Sequence, residues 1–236
     1  MPKGGVVDAS ANGLLAALPE VSRQRLLAKT QLVSLSVKDI LYHPGKPITA
    51  VYFPLTCVIS MMIEMKDGAT IEIATVGNEG VLGIASYLAI DVAVALGITQ
   101  VSGEARRMSV EDFKQAAKSD EHFDTILRRY THAFLTQIAR SGGCNSLHSV
   151  QERYARWLLM MHDRTNVDVF AFTQEFLSTM LGVSRARVNI VTGALEKAGR
   201  IKHSRNQITV IDWKGLEASS CDCYRVIKDE FARVLV

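Results

Sequence analysis

The sequence predicts an α+β chain in three parts: an N-terminal β-roll or jelly roll, a long amphipathic helix and a C-terminal winged helix-turn-helix. Three observations predict it. Between Gln31 and Met108, short apolar runs alternate with turn signals. From about Asp120 to about Ser141, apolar or small residues recur in steps of four and three. Phe172 to Ile211 combines two capped helices with a basic hairpin. At 236 residues the chain is long enough to bury two cores. The expected partition is 1–119 for the roll, 120–143 for the helix and a hinge, and 144–236 for the winged part.

Asn12 to Ala28 carries Leu14, Leu15, Leu18, Val21, Leu26 and Leu27 around Pro19, the pattern of one or two short helices packed on a core. From Gln31 the period changes. Strands are expected at Leu32–Val37, Ile40–His43, Ala50–Phe53, Val58–Met65, Thr70–Val76, Ile98–Val101 and Glu104–Met108. Their separators are turn-forming: Pro44-Gly45-Lys46-Pro47, Lys66-Asp67-Gly68 and Gly77-Asn78-Glu79-Gly80. A short helix at Val110–Lys118 follows. Val81–Val101 is apolar, but Asp91 interrupts it, Gly83 and Gly97 weaken a helix there and no basic residue flanks it closely, so no membrane span is expected.

In the long helix, Phe123, Leu127, Tyr130, Phe134, Gln137 and Ser141 trace the seam of a two-stranded coiled coil and are the expected dimer interface. Ile126, Ala133 and Ile138 widen the stripe so that one flank could pack on the roll; the same spacing also fits an ordinary amphipathic core helix. Gly142-Gly143 is expected to break the helix and form a hinge. Beyond it, Leu147–His162 reads as a supporting helix through Val150, Tyr154, Trp157, Leu158 and Met161. The tail from Asp212 is again helical, with Trp213, Leu216, Tyr224, Ile227 and Phe231 as packing positions.

The stretch FTQEFLSTMLGVSRARVNIVTGALEKAGRIKHSRNQITVI, Phe172 to Ile211, carries the chemistry. Thr173 can cap a first helix with Phe176, Leu177, Met180 and Leu181 on its apolar face. Gly182 supplies the turn, and Ser184 caps a second helix that buries Val188, Val191 and Leu195. Arg185, Arg187, Asn189 and Thr192 are then expected to face outward. Arginine and asparagine read base edges by paired hydrogen bonds, and a helix N-terminus favours phosphate. Strands at Ile201–His203 and Gln207–Ile211, around Ser204-Arg205-Asn206, form a wing bearing Arg200, Lys202 and Arg205. From Ser184 to Arg205 six Lys or Arg face one acid, Glu196. Residues 1–144 hold 14 basic and 14 acidic side chains against 13 and 10 in 145–236, so the whole net charge of +3 belongs to the C-terminal part. The candidate double-stranded DNA contacts are Thr173, Gln174, Ser184, Arg185, Arg187, Asn189, Thr192, Arg200, Lys202 and Arg205, with Arg185, Arg187 and Asn189 nearest the bases. A solvated basic face on an ordinary helix pair is the plain alternative.

The order of parts, together with the segment Phe172-Thr173-Gln174-Glu175-Phe176-Leu177-Ser178-Thr179-Met180-Leu181-Gly182-Val183-Ser184-Arg185, resembles the Crp/Fnr superfamily of bacterial transcription regulators over nearly the whole chain. Gly80-Val81-Leu82-Gly83 also looks like that family's ligand-cassette turn, so Glu79, Gly80 and Gly83 are the candidate effector contacts in a cyclic-nucleotide-binding-like roll. The resemblance implies a homodimer whose sensor domain repositions its DNA heads, with no enzymatic activity and with RNA polymerase as a further candidate partner. Where cyclic AMP-binding members carry an arginine followed by Ser or Thr, this chain has Ala93-Val94-Ala95; an unpaired buried phosphate is costly, so cyclic AMP is disfavoured and the effector is unknown. Only Cys57 lies in the first 140 residues, too few thiolates for an N-terminal iron-sulfur cluster. His43 is the only histidine before position 122 and reads as a strand-end residue rather than a haem ligand. Ala186 and Ile190 stand where the best-known members use an acidic residue and an arginine, so their operator sequences do not transfer.

Cys144 with His148, and Cys221 with Cys223, could supply four soft ligands if the tail folded back on the hinge. The spacing favours free thiols, so no metal or other cofactor is expected. MPKGGVVDAS lacks the features of a signal peptide, and the cysteines do not form a disulfide framework, so a reducing cytoplasmic location is expected. The reading is a sequence-specific DNA-binding regulator of transcription. Its rivals are a ligand-independent regulator whose roll is a dimer scaffold, and a β-roll enzyme or small-molecule binder with a C-terminal interaction module. The last would need a polar titratable cluster, where the roll offers only Glu64, Glu72, Glu79 and His43.

Overall fold

Pro19 divides the N-terminal apolar segment into α1 (Gly13–Ala16) and α2 (Glu20–Leu27), as its missing N–H and fixed φ require. Asn12 fixes the entry. Its side-chain oxygen caps α1 at Leu15 N, 3.1 Å away, while its Nδ2 donates to the carbonyls of Pro54 and Gly80, each at 2.8 Å. The computed structural model describes residues 9–205 and 207–235; most of the N-terminal MPKGGVVDAS segment, Asn206 of the expected wing turn and Val236 lie outside them.

The alternating runs become β1 (Gln31–Leu35), β2 (Ile40–Tyr42), β3 (Ala50–Pro54), β4 (Val58–Glu64), β5 (Thr70–Val76), β6 (Leu96–Val101) and β7 (Gly103–Ser109). They form two sheets, ordered β1-β7-β3 and β2-β6-β4-β5. In the first, β7 is central and antiparallel to both neighbours, with Leu35 opposite Gly103 and Ala50 opposite Ser109. Inward side chains such as Val51, Phe53, Val58, Ile59, Ala105 and Met108 are fully buried. Next comes α3 (Val110–Ser119), capped by Ser109, which packs Phe113 edge-on between Phe53 and Phe123.

α4 (Glu121–Leu147) is one helix of 27 residues, and two expectations are corrected on it. Gly142-Gly143 does not break it. Glycine permits a break without imposing one, and Ser141 and Cys144, on either side of the pair, are both buried and hold the backbone in register. The expected dimer seam, Phe123, Leu127, Tyr130, Phe134, Gln137 and Ser141, is buried in the chain's own core. Tyr130 stacks on Phe134 and donates to the Val81 carbonyl at 3.1 Å, and Gln137 accepts from Arg164 at 2.8 Å. The spacing is that of a core helix, with the seam satisfied within the chain itself.

After Ser149 the chain forms α5 (Val150–Thr165), β8 (Val169–Phe170), α6 (Gln174–Leu181), α7 (Arg185–Lys197), β9 (Ile201–Ser204), β10 (Gln207–Val210), α8 (Trp213–Ala218) and α9 (Cys223–Val234). Ser149 and Glu152 close a reciprocal capping box on α5. Two compact units result. One joins residues up to 61, Thr75–Leu135 and those from Glu230; the other joins Met62–Ala74 and Thr136–Asp229. The division falls inside α4. Among the described residues no helix is long and apolar enough to cross a membrane.

Candidate nucleic-acid interface

The caps of the reading pair form as their residue types demand. The Thr173 hydroxyl accepts from Phe176 N at 3.1 Å, starting α6; Gly182, at φ +62°, ends it in the left-handed conformation that an L side chain resists. The Ser184 hydroxyl accepts from Arg187 N at 3.3 Å, starting α7. Behind the pair, an aromatic stack from Phe170 through Phe172 to Phe176 meets Trp157 of α5, with Trp157 and Phe172 centroids 4.9 Å apart. Val188, Val191 and Leu195 fill the inner face of α7.

That packing leaves the start of α7 in solvent: Ser184, Arg185, Ala186 and Arg187 are exposed. A helix N-terminus with free amides and two arginines is suited to phosphate and guanine edges. Arg185 pairs with Glu175 of α6, and both side chains are exposed, so the pair is worth at most about 1 kcal/mol and constrains Arg185 little. Asn189 is exposed one turn further along. Beside it stands Ile190, 62% exposed, an apolar residue that charge and polarity do not single out. Such a side chain can meet a thymine methyl. Gly193 continues the same line, with nothing within 4 Å of where a Cβ would stand, so the helix backbone can approach a groove closely.

Two candidates sit elsewhere. Thr192 is only 3% exposed, because it lies four residues after Val188 and three before Leu195 and so falls on the inner face. Thr192→Val should leave DNA affinity within about 0.5 kcal/mol of wild type in a gel-shift titration. Arg200 is tied to Asp212, whose other carboxylate oxygen accepts from Gly215 N at 2.9 Å and caps α8. First the Gly215 amide and then the Arg200 guanidinium hold the Asp212 carboxyl below its usual range. Arg200 thus fastens the wing to the helix that follows. Gln174 opens α6, with its Oε1 buried.

In the wing, β10 is central and antiparallel to β9 and β8; the two-residue strand β8 is too short to leave a signal in the sequence. Lys202 and Arg205 are exposed, Arg205 at φ +52° in the turn. Glu196 of α7 accepts from His203 N at 2.9 Å, which binds the wing to the reading helix.

The expected effector turn is packed rather than open. A Cβ on Gly80 would lie 2.2 Å from the Tyr130 ring, and one on Gly83, at φ +106°, 2.5 Å from the Tyr42 hydroxyl. Glu79 folds back to accept from Gly77 N at 3.1 and 3.2 Å. Glu72, another acid of the roll, accepts from Trp157 Nε1 at 3.1 Å. His43 is exposed at the end of β2. The four soft side chains expected as free thiols and a separate histidine do come together: the ligand atoms of Cys144, His148, Cys221 and Cys223 lie within 4.8 Å of one another.

Residues 152–219 match the Crp-like helix-turn-helix domain. The fold is similar to FixK2 from Bradyrhizobium japonicum (TM-score 0.69, 17% identity, 81% of this chain and 98% of that one). It is also similar to CLP of Xanthomonas campestris, described as a c-di-GMP responsive global regulator (TM-score 0.65, 16% identity, 81% and 99%). A third likeness is to a CRP/FNR family transcriptional regulator from Thermus thermophilus (TM-score 0.55, 18% identity, 80% and 98%). No curated protein matches the chain by sequence. The architecture is the Crp/Fnr fold, with a β-sheet domain, a long helix and a Crp-like helix-turn-helix. On that fold, this chain has a buried helix stripe, a filled turn at Gly80 and Gly83 and a Cys/His cluster beside its long helix.

Proposed function

We propose that the chain is a homodimeric, sequence-specific DNA-binding regulator of transcription and not an enzyme. The observation that carries this reading is the exposed line Arg185, Asn189, Ile190 and Gly193 on α7, flanked by Lys202 and Arg205 on the wing. Base-reading and phosphate-binding groups share one face, while Glu72 and Glu79 are engaged by Trp157 and by the Gly77 amide. A dimer would place two such faces about 34 Å apart, one turn of duplex.

With the inner stripe of α4 buried, the dimer contact is read onto the opposite side: Leu135, Ala139, Gly142, Gly143 and Ser146, all exposed. Leucine supplies apolar area there. The small residues let a second helix come close, and the glycines are open. Ala93 and Ala95 are buried and Val94 is exposed, so these three residues themselves supply no cation for a cyclic phosphate. A second reading, in which the roll is a scaffold that needs no ligand, draws support from Tyr130 and Tyr42 filling the space before Gly80 and Gly83.

Selection of bound sequences from a random duplex pool tests the proposal. The expected product is a two-fold-related site bound by a species of twice the chain mass in sedimentation. Failure to enrich any sequence would overturn it. Repeating the selection with cell extract separates the two readings of the roll, since a scaffold gives the same affinity in both.

A further inference from the structure

The last turn of α4 presents Cys144 and, one turn on, His148; the loop after α8 and the first residue of α9 return Cys221 and Cys223 to the same place. The three thiols are 0%, 5% and 2% exposed. Cys144 Sγ stands 3.4 Å from Cys221 Sγ, and Cys223 Sγ stands 3.7 Å from His148 Nδ1. A tetrahedral zinc ion with bonds of about 2.3 Å to sulfur and about 2.0 Å to nitrogen sets its sulfurs about 3.8 Å apart and sulfur to nitrogen about 3.5 Å. These two separations are within a few tenths of an ångström of those values, and every other pair of ligand atoms lies within 4.8 Å.

A core of inert thiols would account for the burial but not for the surroundings. The imidazole is oriented at both ends. Nδ1 faces the thiols, while Nε2 stands 3.5 Å from Asp222 Oδ1, whose other oxygen is 3.6 Å from Arg140. A carboxylate behind the second ring nitrogen is the arrangement that fixes the tautomer of a metal-bound histidine. The charges give a separate reason. Arg153 and Arg156 are 7% and 8% exposed, and the Nε of each has no hydrogen-bond partner among the described residues. Arg153 feels Cys144 and Cys221 electrostatically, and Arg156 acts on Cys144. Two buried guanidinium groups beside three neutral thiols would have no anionic counterpart among the described residues. Three thiolates, an imidazole and a divalent ion carry a net charge of −1.

We propose that Cys144, His148, Cys221 and Cys223 bind one Zn²⁺ in a closed Cys₃His site. On binding, each thiol gives its proton to solvent and forms a zinc–sulfur bond, and neutral His148 donates through Nδ1. Four protein ligands leave no position for reactive water, so the site is structural. Ligand atoms within 4.8 Å of one another enclose a single ion rather than a cluster. A cleft of about 550 Å³, bordered by Arg140, Gly143 and His148, gives the ion a way in. The bound ion would join the end of α4 to residues 77 positions away and so stabilise the DNA-reading unit.

The test uses untagged full-length protein purified under reducing conditions. Elemental analysis should find about one zinc per chain, and exchange for Co²⁺ should give thiolate-to-cobalt charge transfer with intense tetrahedral d–d bands. Cys223→Ser should abolish the cobalt spectrum, and Asp222→Asn should weaken metal affinity about 10- to 100-fold. Cys57→Ser should change neither, since Cys57 lies apart and burial pushes its thiol up to about 12. If Cys223→Ser fails to fold, the wild-type spectrum and the Asp222→Asn titration decide. Reduced protein that takes up neither metal would overturn the proposal. So would an intact mass lowered by the two hydrogens of a Cys144–Cys221 disulfide, or equal affinity in Asp222→Asn.

Discussion

Gly80→Ala is expected to destabilise the roll by about 1–3 kcal/mol, seen as a lower denaturant midpoint with the slope unchanged. The added methyl would stand 2.2 Å from a ring carbon of Tyr130 and 2.4 Å from its oxygen. Tyr130 cannot swing away: it is fully buried, holds the Val81 carbonyl through its hydroxyl and lies between Phe134 and Phe231. In a Tyr130→Leu background the same substitution should cost less, a coupling of about 1 kcal/mol or more. This separates the two roles considered for the turn. A glycine kept for ligand approach would leave stability near wild type and change the response of DNA binding to effector; a glycine kept for packing does the reverse.

The second large effect belongs to the reading face. Arg185→Ala should cost about 1–3 kcal/mol of specific affinity and relax selectivity at one base position. Lys202→Ala should weaken binding to all sequences alike and reduce the salt slope by about one. Arg200→Ala, by contrast, should appear in stability and leave the salt slope alone, because its guanidinium is engaged by Asp212. Unchanged specific binding in both Arg185→Ala and Lys202→Ala would show that the contact surface lies elsewhere.

Local chemistry is legible in the residues. Caps at Thr173 and Ser184, the stop at Gly182 and the alternation from β1 to β7 depend on a few neighbouring side chains, and these form where the sequence puts them. What escapes depends on residues far apart in the chain. The Phe123-to-Ser141 stripe has one spacing whether it faces a second copy or its own core, and only the positions of Phe231 and Arg164 decide. Thr192 misses its expected face because polarity argues outward, whereas three-and-four spacing places it with Val188 and Leu195. Arg200 reads as a free charge since Asp212 comes 12 residues later. The Cys/His cluster draws its members from Cys144 to Cys223 and leaves only two weak spacings in the sequence.

The glycine pair in α4 has a mechanical consequence. An unbroken helix of 27 residues is a rod about 40 Å long, yet at Gly142 and Gly143 it has two side-chain-free residues with empty space beside them, each costing helix stability of about 1 kcal/mol relative to alanine. The rod is therefore continuous but unevenly stiff. Among the internally hydrogen-bonded amides of α4, exchange with deuterium should be fastest at this point. Stiffness along α4 is then a property that alanine at either position would raise, turning a compliant joint into a rigid shaft.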